Sequence, residues 1–345
     1  RKVVRTMSPV SMMALFATEQ AIMQAGLDDS GIIKGGRLGI AYGSCSGSVE
    51  ANADFSSVLM EREVKNVTSA TYIKMMSQTC AVNLSVHFGT TGRLLPTGVA
   101  CASGSLAIGQ AYEAIKFGMQ DVMIAGGAEE FSPTQVAVFD TLFATSRRND
   151  DCGSTPRAFD VNRDGLVIGD GAATLILEER EHALARGATI LAEVAGFATN
   201  TDGRHVTQPN AETQAVVLRH ALNDAKISSS DIGYVNAHGT ATDLGDIAEG
   251  TALSLVFGVS NPLVSTIKNY TGHTLGACGA IEAAMTIEML RHGWFAPNLN
   301  LVNPDPRCGE HDFIMGEGAE ADTEFAMSNN FAFGGVNTSL IFRRV

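Results

Sequence analysis

The chain has 345 residues, 45% of them hydrophobic, and 24 Lys+Arg set against 37 Asp+Glu leave a formal net charge of −13. Such a length supports a large buried core in two domains or one duplicated one, and the negative balance opposes nonspecific nucleic-acid binding, so an acidic partner needs a local basic patch. No run reaches the roughly 18 uninterrupted apolar residues of a membrane span, and the six cysteines, at 45, 80, 101, 152, 278 and 308, form neither a CxxC pair nor a framework spacing, which disfavours zinc and disulfides and points to a reducing cytoplasm.

The opening RKVVRTMSPV is basic and then helical, without a start methionine or an apolar signal-type core, and reads as beginning inside a domain. Ser8-Pro9, the run VSMMALFATEQAIMQA and Gly26 predict a helix with a capping serine, a first-turn proline and a terminal glycine. RLGIAYG (37–43) predicts a buried strand. The run GVACASGSLAIGQAY (98–112) carries no charge. Pro96 and Gly98 make a turn there, and 102–117 predicts a helix stopping at Gly118, so Cys101 opens a buried helix. Unpaired N–H groups and the positive end of the helix dipole favour a thiolate at that place. The competing reading is a buried thiol packing as a small hydrophobe.

DVMIAGGAEE (121–130) and AATLILEE (172–179) predict further strands. Between them FDVNRDGLVIGDGAA (159–173) spaces acidic groups as a metal loop does, yet lacks the EF-hand ligand pattern and any strand–GxGxxG–helix unit. It predicts a salt-bridge corner centred on Arg163. A helix over 179–186 leads to a strand at 189–197, where a boundary divides the chain into halves 1–188 and 189–345. The second half alternates helix 211–224, strand 232–239, helix 243–257, strand 262–269 and helix 275–292, with closing strands at 324–330 and 338–343. This alternation predicts an α/β fold.

NAHGTATDLGD (236–246) puts His238 in a loop at a strand exit, and STIKNYTGHTLGACGA (265–280) ends a strand at Lys268 and sets Gly272-His273 before a small-residue helix. Two histidines in such loops together with a cysteine at a helix start suit nucleophilic catalysis. SNNFAFGGVNTS (328–339) places two phenylalanines beside a double glycine, a loop able to present backbone N–H groups to a reacting carbonyl; a tight hairpin with buried aromatics is the alternative. CASGSLAIGQAYEAIKFG (101–118) and GACGAIEAAMTIEMLRHG (276–293) share a small-residue opening, an apolar body and a basic end, which suits two central helices packed about an internal pseudo-dyad.

Taken in order, ACASGS, AGGAE, FDVNRDG, HGTATDLGD, IKNYTGHTLGACGA and NNFAFGGVNTS resemble the β-ketoacyl-acyl carrier protein synthases of the elongating type, in the thiolase-like superfamily. The resemblance spans essentially the whole chain and implies a five-layered αβαβα fold of two similar halves, preceded in the family by a strand and helix that the sequence given does not contain. It implies decarboxylative condensation of an acyl group on Cys101 with malonyl-acyl carrier protein, lengthening the chain by two carbons. Cys101 is then the nucleophile, His238 and His273 the histidine pair, and Lys268, Glu282, Asp246 and Glu249 supporting residues. The backbone N–H groups of Cys101 and Phe333 hold the oxyanion, Phe333 gates the acyl chain, and Thr207, Thr240, Thr242 and Phe331 face the substrate.

No cofactor or metal is implied, because the substrates arrive on the phosphopantetheine of acyl carrier protein. The implied partners are that carrier, docking at Arg1, Lys2 and Arg5, and a second subunit against residues 80–100, giving a homodimer or a heterodimer with a related subunit. Two departures stand out: Leu166 where the family has RDGF, and Ala332 within FAFGG where glycine is usual. A thiolase needs a second catalytic cysteine near the C-terminus, an initiating synthase an asparagine at position 273, and a noncatalytic chain-length subunit lacks the cysteine. A specialised polyketide or polyene ketosynthase shares the motifs and stays open.

Overall fold

The computed structural model describes residues 3–28 and 31–345, so Arg1 and Lys2 of the expected docking patch lie outside the described residues. The chain forms two compact units, neither of which is a single stretch. The first takes the residues up to Ser132 with Asp170–Thr189 and Leu275–Ile281; the second takes Pro133–Gly169, Ile190–Thr274 and Glu282–Val345.

In the first unit β1 (Leu38–Gly43), β2 (Leu94–Thr97), β3 (Val122–Glu129) and β4 (Gly171–Glu178) form one sheet in the order β2-β1-β3-β4. The first three run parallel and β4 is antiparallel to β3. LGIAYG and VMIAGGAE are buried at every position, as expected of parallel strands covered on both faces. Val10, Ala14 and Ile22 of the helix Pro9–Gln24 join Leu38, Ile40, Tyr42, Val122 and Ile124 in the core. That helix starts where the sequence predicts, with Ser8 and Ser11 in a capping box, and ends before Gly26 at φ +64°.

The second unit carries β5 (Glu193–Thr201), β6 (Ile232–Asn236), β7 (Leu263–Ser265), β9 (Asp312–Phe313), β11 (Phe325–Phe331) and β12 (Val336–Arg343), in the order β5-β12-β11-β6-β7-β9; β8 (Trp294–Phe295) pairs with β10 (Ala319–Glu320). Val217, Leu218 and Ala221 of the helix Ala211–Ala225 and Leu253 and Phe257 of the helix Asp243–Phe257 pack on Val235, Met327 and Ile341. Its strands β7-β6-β11-β12 repeat the β2-β1-β3-β4 pattern of three parallel strands and one antiparallel. Among the described residues no helix is long and apolar enough to cross a membrane.

Three local expectations need correction. The strand placed at 189–197 is β5, four residues later. The strand expected over 262–269 stops at Ser265, and Lys268 starts the one-turn helix Lys268–Thr271 instead of ending a strand. The backbone N–H of Thr266 donates to Asn298 Oδ1 (3.1 Å), which draws it to a side chain as the chain turns. Cys101 does not open the α-helix either: it occupies a 3₁₀ turn, Ala100–Ala102, immediately before the helix Ser103–Lys116. The second small-residue helix, Cys278–His292, follows the same device, a 3₁₀ turn over Leu275–Ala277. Both turns begin on a residue at positive φ, Ala100 at 49° and Leu275 at 45°, a strained choice for non-glycine residues that costs of order 1–3 kcal/mol each.

Candidate active site

Cys101 is 3% exposed, in a turn closed by small polar groups. Ser103 Oγ donates to the carbonyl of Ala100 (2.7 Å) and accepts from the N–H of Val99 (2.9 Å), while Thr97 Oγ donates to the carbonyl of Ser103 (2.8 Å). These bonds hold the strained φ at Ala100 and fix the residue after it. Gly104 allows the packing beneath, since a Cβ there would stand 2.8 Å from the backbone nitrogen of Ala280 and 3.1 Å from the carbonyl oxygen of Gly276. On the same side Cys278 donates its S–H to the carbonyl oxygen of Cys101 at 3.1 Å.

Glu129, at the end of β3, accepts from the N–H of Cys45 (2.7 Å), the N–H of Gly276 (3.2 Å) and the hydroxyl of Ser46 (3.0 Å). Burial raises its carboxyl against those donors. Burial, with Glu129 and Cys101 nearby, likewise pushes the Cys45 thiol well up, keeping it protonated.

The second unit gathers the histidines. Their rings meet edge to face, with centroids 5.4 Å apart. His238 follows β6, and Glu249 anchors its loop by accepting from the N–H groups of His238 and Gly239, both at 2.8 Å. The N–H of His273 donates to the carbonyl of Val167 (2.7 Å), and the N–H of Gly169 returns a bond to the carbonyl of His273 (3.0 Å). Behind His238 lies Lys268, whose Nζ is 3.1 Å from His238 Nδ1 and 2.5 Å from Glu282 Oε1. Glu282 Oε2 accepts from Asn330 Nδ2 at 2.7 Å. The side chains of His238, His273, Glu249, Lys268, Glu282 and Asn330 are all buried.

An ammonium has hydrogens to give and no lone pair to offer, so His238 Nδ1 accepts and its hydrogen stays on Nε2. Burial and the Lys268 charge hold both histidines well below the ordinary histidine pKa, and therefore neutral. Two neutral imidazoles free of a competing positive charge of their own suit hydrogen-bond donation to a developing oxyanion.

Asp246 accepts from the N–H groups of Phe159 (2.7 Å) and Ala241 (3.1 Å), with Arg163 Nε at 3.6 Å. Arg163 also reaches Asp305 (2.7 Å) and Asp243 (3.2 Å), which makes 159–164 the salt-bridge corner expected from the sequence. Burial lifts Asp246 to about 6 and Glu249 to about 8 despite their backbone donors. Phe331 lies edge-on to His238, with ring centroids 6.1 Å apart. Phe333, beyond it, is 39% exposed and meets Phe139 edge to face at 6.0 Å. The hairpin between β11 and β12 turns on Gly334 (φ +91°) and Gly335 (φ +78°), values that ordinary residues avoid. Thr240 and Thr242 share a hydroxyl contact of 2.9 Å, whereas Thr207 sits apart from them in its own loop, with its hydroxyl 3.1 Å from His205 Nδ1. Arg5 is exposed.

Sequence reasoning missed Asn330, which ties Glu282 to β11, and Glu129, which anchors the loop after β1. Their signal was faint: an Asn-Asn pair and a Glu-Glu pair, each at the end of an otherwise apolar strand.

The family model for the β-ketoacyl synthase N-terminal domain matches residues 1–183, and that for the C-terminal domain matches residues 191–302. The 3-oxoacyl-[acyl-carrier-protein] synthase 2 of Vibrio cholerae is 39% identical over 330 residues, covering 92% of this chain and 80% of its own. A crystal structure of a β-ketoacyl synthase from Burkholderia phymatum superposes with a TM-score of 0.99 at 56% identity, covering 100% of this chain and 84% of that one. A structure of a type II polyketide synthase acyl-carrier protein in complex with its ketosynthase matches with a TM-score of 0.89 at 31% identity, covering 97% of this chain and 85% of that one.

Proposed function

The chain belongs to the β-ketoacyl synthase family, and from that premise we propose that it is an acyltransferase of fatty acid elongation, condensing an acyl group with malonyl-acyl carrier protein by way of Cys101. The observation that carries this reading is the Lys268–His238 contact, which supplies a neutral imidazole with its hydrogen on Nε2. The fold is thiolase-like, as in the relatives that match over the chain's full length.

In the first half-reaction Cys101 attacks the thioester of an acyl carrier, and the acyl group moves to sulfur as the carrier's thiol leaves. Malonyl thioester follows. His238 and His273 donate to its thioester carbonyl, so the electrons released with CO₂ collect on a stabilised enolate. The carbanion attacks the acyl-Cys101 carbonyl, the backbone N–H groups of Cys101 and Phe333 hold the resulting oxyanion, and collapse frees the Cys101 sulfur with the β-ketoacyl chain on its carrier. Lys268 and Glu282 position His238, and Glu249 and Asp246 hold its loop. Thr207, Thr240, Thr242 and Phe331 are assigned to the pantetheine arm and acyl chain, and Phe333 to the gate. This sequence needs neither metal nor cofactor.

Acyl carrier protein is the partner we assign, with Arg5 in its docking surface. A homodimer is the assembly we infer, the exposed edge strand β2 falling within the 80–100 segment expected to meet the second subunit. Six cysteines outside any disulfide fit a cytoplasmic setting.

Incubation with acyl and malonyl carrier thioesters tests the activity: a β-ketoacyl carrier two carbons longer, with CO₂ released, supports it, and absence of product across a panel of acyl lengths refutes it. The likeness to a polyketide ketosynthase at 31% identity keeps a second reading, a ketosynthase that extends polyketide or polyene chains. Turnover of β-ketoacyl or polyenoyl primers in preference to saturated ones in the same panel would favour it.

A further inference from the structure

Three thiols crowd the nucleophile's turn in the first unit, and the elongation chemistry uses one of them. Cys278, the first residue of its helix, brings Sγ to 3.1 Å from the carbonyl oxygen of Cys101. Both cysteines are buried, at 1% and 3% exposure. The two helix starts are pressed together backbone to backbone, as the 2.8 Å between Ala280 nitrogen and an imagined Cβ on Gly104 shows. Disulfides need Cα separations of about 4.4–6.8 Å, and the contact sets the Cys278 sulfur against the main chain of its intended partner. Cys45 is the third thiol, with Sγ 4.0 Å from Ser103 Oγ in the same turn.

We propose that Cys101 and Cys278 form a reversible disulfide on exposure to hydrogen peroxide, making the nucleophile's turn a redox modification site. The proposal rests on Cys101 being the reactive nucleophile of the function given above. The Cys101 thiolate attacks one peroxide oxygen; an S–O bond forms, the O–O bond breaks, and hydroxide leaves. The Cys278 sulfur then attacks the sulfur of the Cys101 sulfenic acid while its S–H proton passes to the leaving hydroxide, so the S–S bond forms, the S–O bond breaks and water departs. Overall two thiols lose two electrons and two protons to one peroxide, giving two waters. Cys278 is favoured over Cys45 as the resolving thiol because its sulfur lies 3.1 Å from the Cys101 main chain, whereas the Cys45 sulfur faces the Ser103 hydroxyl at 4.0 Å. The linkage shields Cys101 from the irreversible sulfinic and sulfonic stages.

The test treats the reduced chain with hydrogen peroxide, blocks remaining thiols by alkylation, and maps peptides by mass spectrometry without reduction. The expected result is a Cys101–Cys278 cross-link accompanied by loss of condensation, with both reversed by dithiothreitol. Cys278→Ala should show no such cross-link, should carry Cys101 on to sulfinic acid, and should not regain its own untreated activity with dithiothreitol; Cys278→Ser, closer in size and still a donor, should behave alike if the alanine variant folds poorly. A Cys101–Cys45 cross-link, no cross-link at all, or full recovery of the Cys278 variants would overturn the proposal. A cross-link in a protein that shows no condensation before treatment would instead count against the proposed function and leave the redox pair standing.

Discussion

Lys268 Nζ lies 3.1 Å from His238 Nδ1 and 2.5 Å from Glu282 Oε1, so one buried ammonium sets the tautomer of a histidine while its charge is answered by a carboxylate. Lys268→Met removes that orientation. Malonyl decarboxylation should fall by about 10²-fold, the scale of losing an oxyanion donor, while transfer of an acyl group to Cys101 is affected far less. Equal losses in both half-reactions would make Lys268 a general structural support.

Glu282 is the other half of that pair, and both side chains are almost wholly buried. Breaking a buried ion pair from one side strands the remaining charge, at a cost of about 3–5 kcal/mol. Glu282→Ala should therefore lower the denaturation midpoint strongly, and the double variant Lys268→Met/Glu282→Leu should recover stability without recovering decarboxylation.

The histidines make a separate prediction about pH. Their folded-state pKa values lie well below the ordinary value because of burial and Lys268. As pH falls through about 6.5 the unfolded chain takes up protons at these positions and the folded chain does not, so this contribution erodes stability on the acid side. Decarboxylation, by contrast, should stay level between about pH 8 and about pH 6, where an ordinary histidine would already be losing its neutral form. A rate that halves near pH 6.5 in step with a single protonation would show that the pair titrates normally.

His238 and His273 also separate the two half-reactions. Replacing either with alanine should reduce decarboxylation by roughly 10²–10³-fold, leaving acylation of Cys101 at least partly intact. An alanine variant that released CO₂ from malonyl carrier at the parent rate would remove that histidine from the enolate step.

Much of this site can be read along the chain because its chemistry is carried by local signals. Ser8 and Gly26 bracket their helix through capping and positive φ, and the strand through AGGAE is marked by its apolar run from Val122 to Ala128. Lys268 was harder to place. Its segment reads as β-branched and apolar, yet Asn298, 32 residues beyond Thr266, takes the N–H of Thr266 as the chain leaves its strand. Asn330 and Glu282 meet from a strand and a helix that no periodicity connects. Contacts of that kind depend on tertiary packing, which overrides local preference.

Docking of the carrier is tested by charge reversal. Lys2→Glu with Arg5→Glu should raise KM for carrier-bound substrates and leave turnover of small pantetheine thioesters almost unchanged, and added salt should weaken the parent protein in the same selective way. Equal loss on both substrate types would assign the basic segment a structural role.

The most direct measurement is trapping the acyl-enzyme. Incubated with an acyl carrier thioester in the absence of malonyl carrier, the protein should gain the mass of one acyl group, peptide mapping should place it on Cys101, and malonyl carrier should discharge it as the β-ketoacyl product. Cys101→Ser should gain no acyl mass at neutral pH. An acyl group mapped to Cys45, Cys278 or any other residue, or condensation that persists in Cys101→Ser, would contradict catalysis through Cys101.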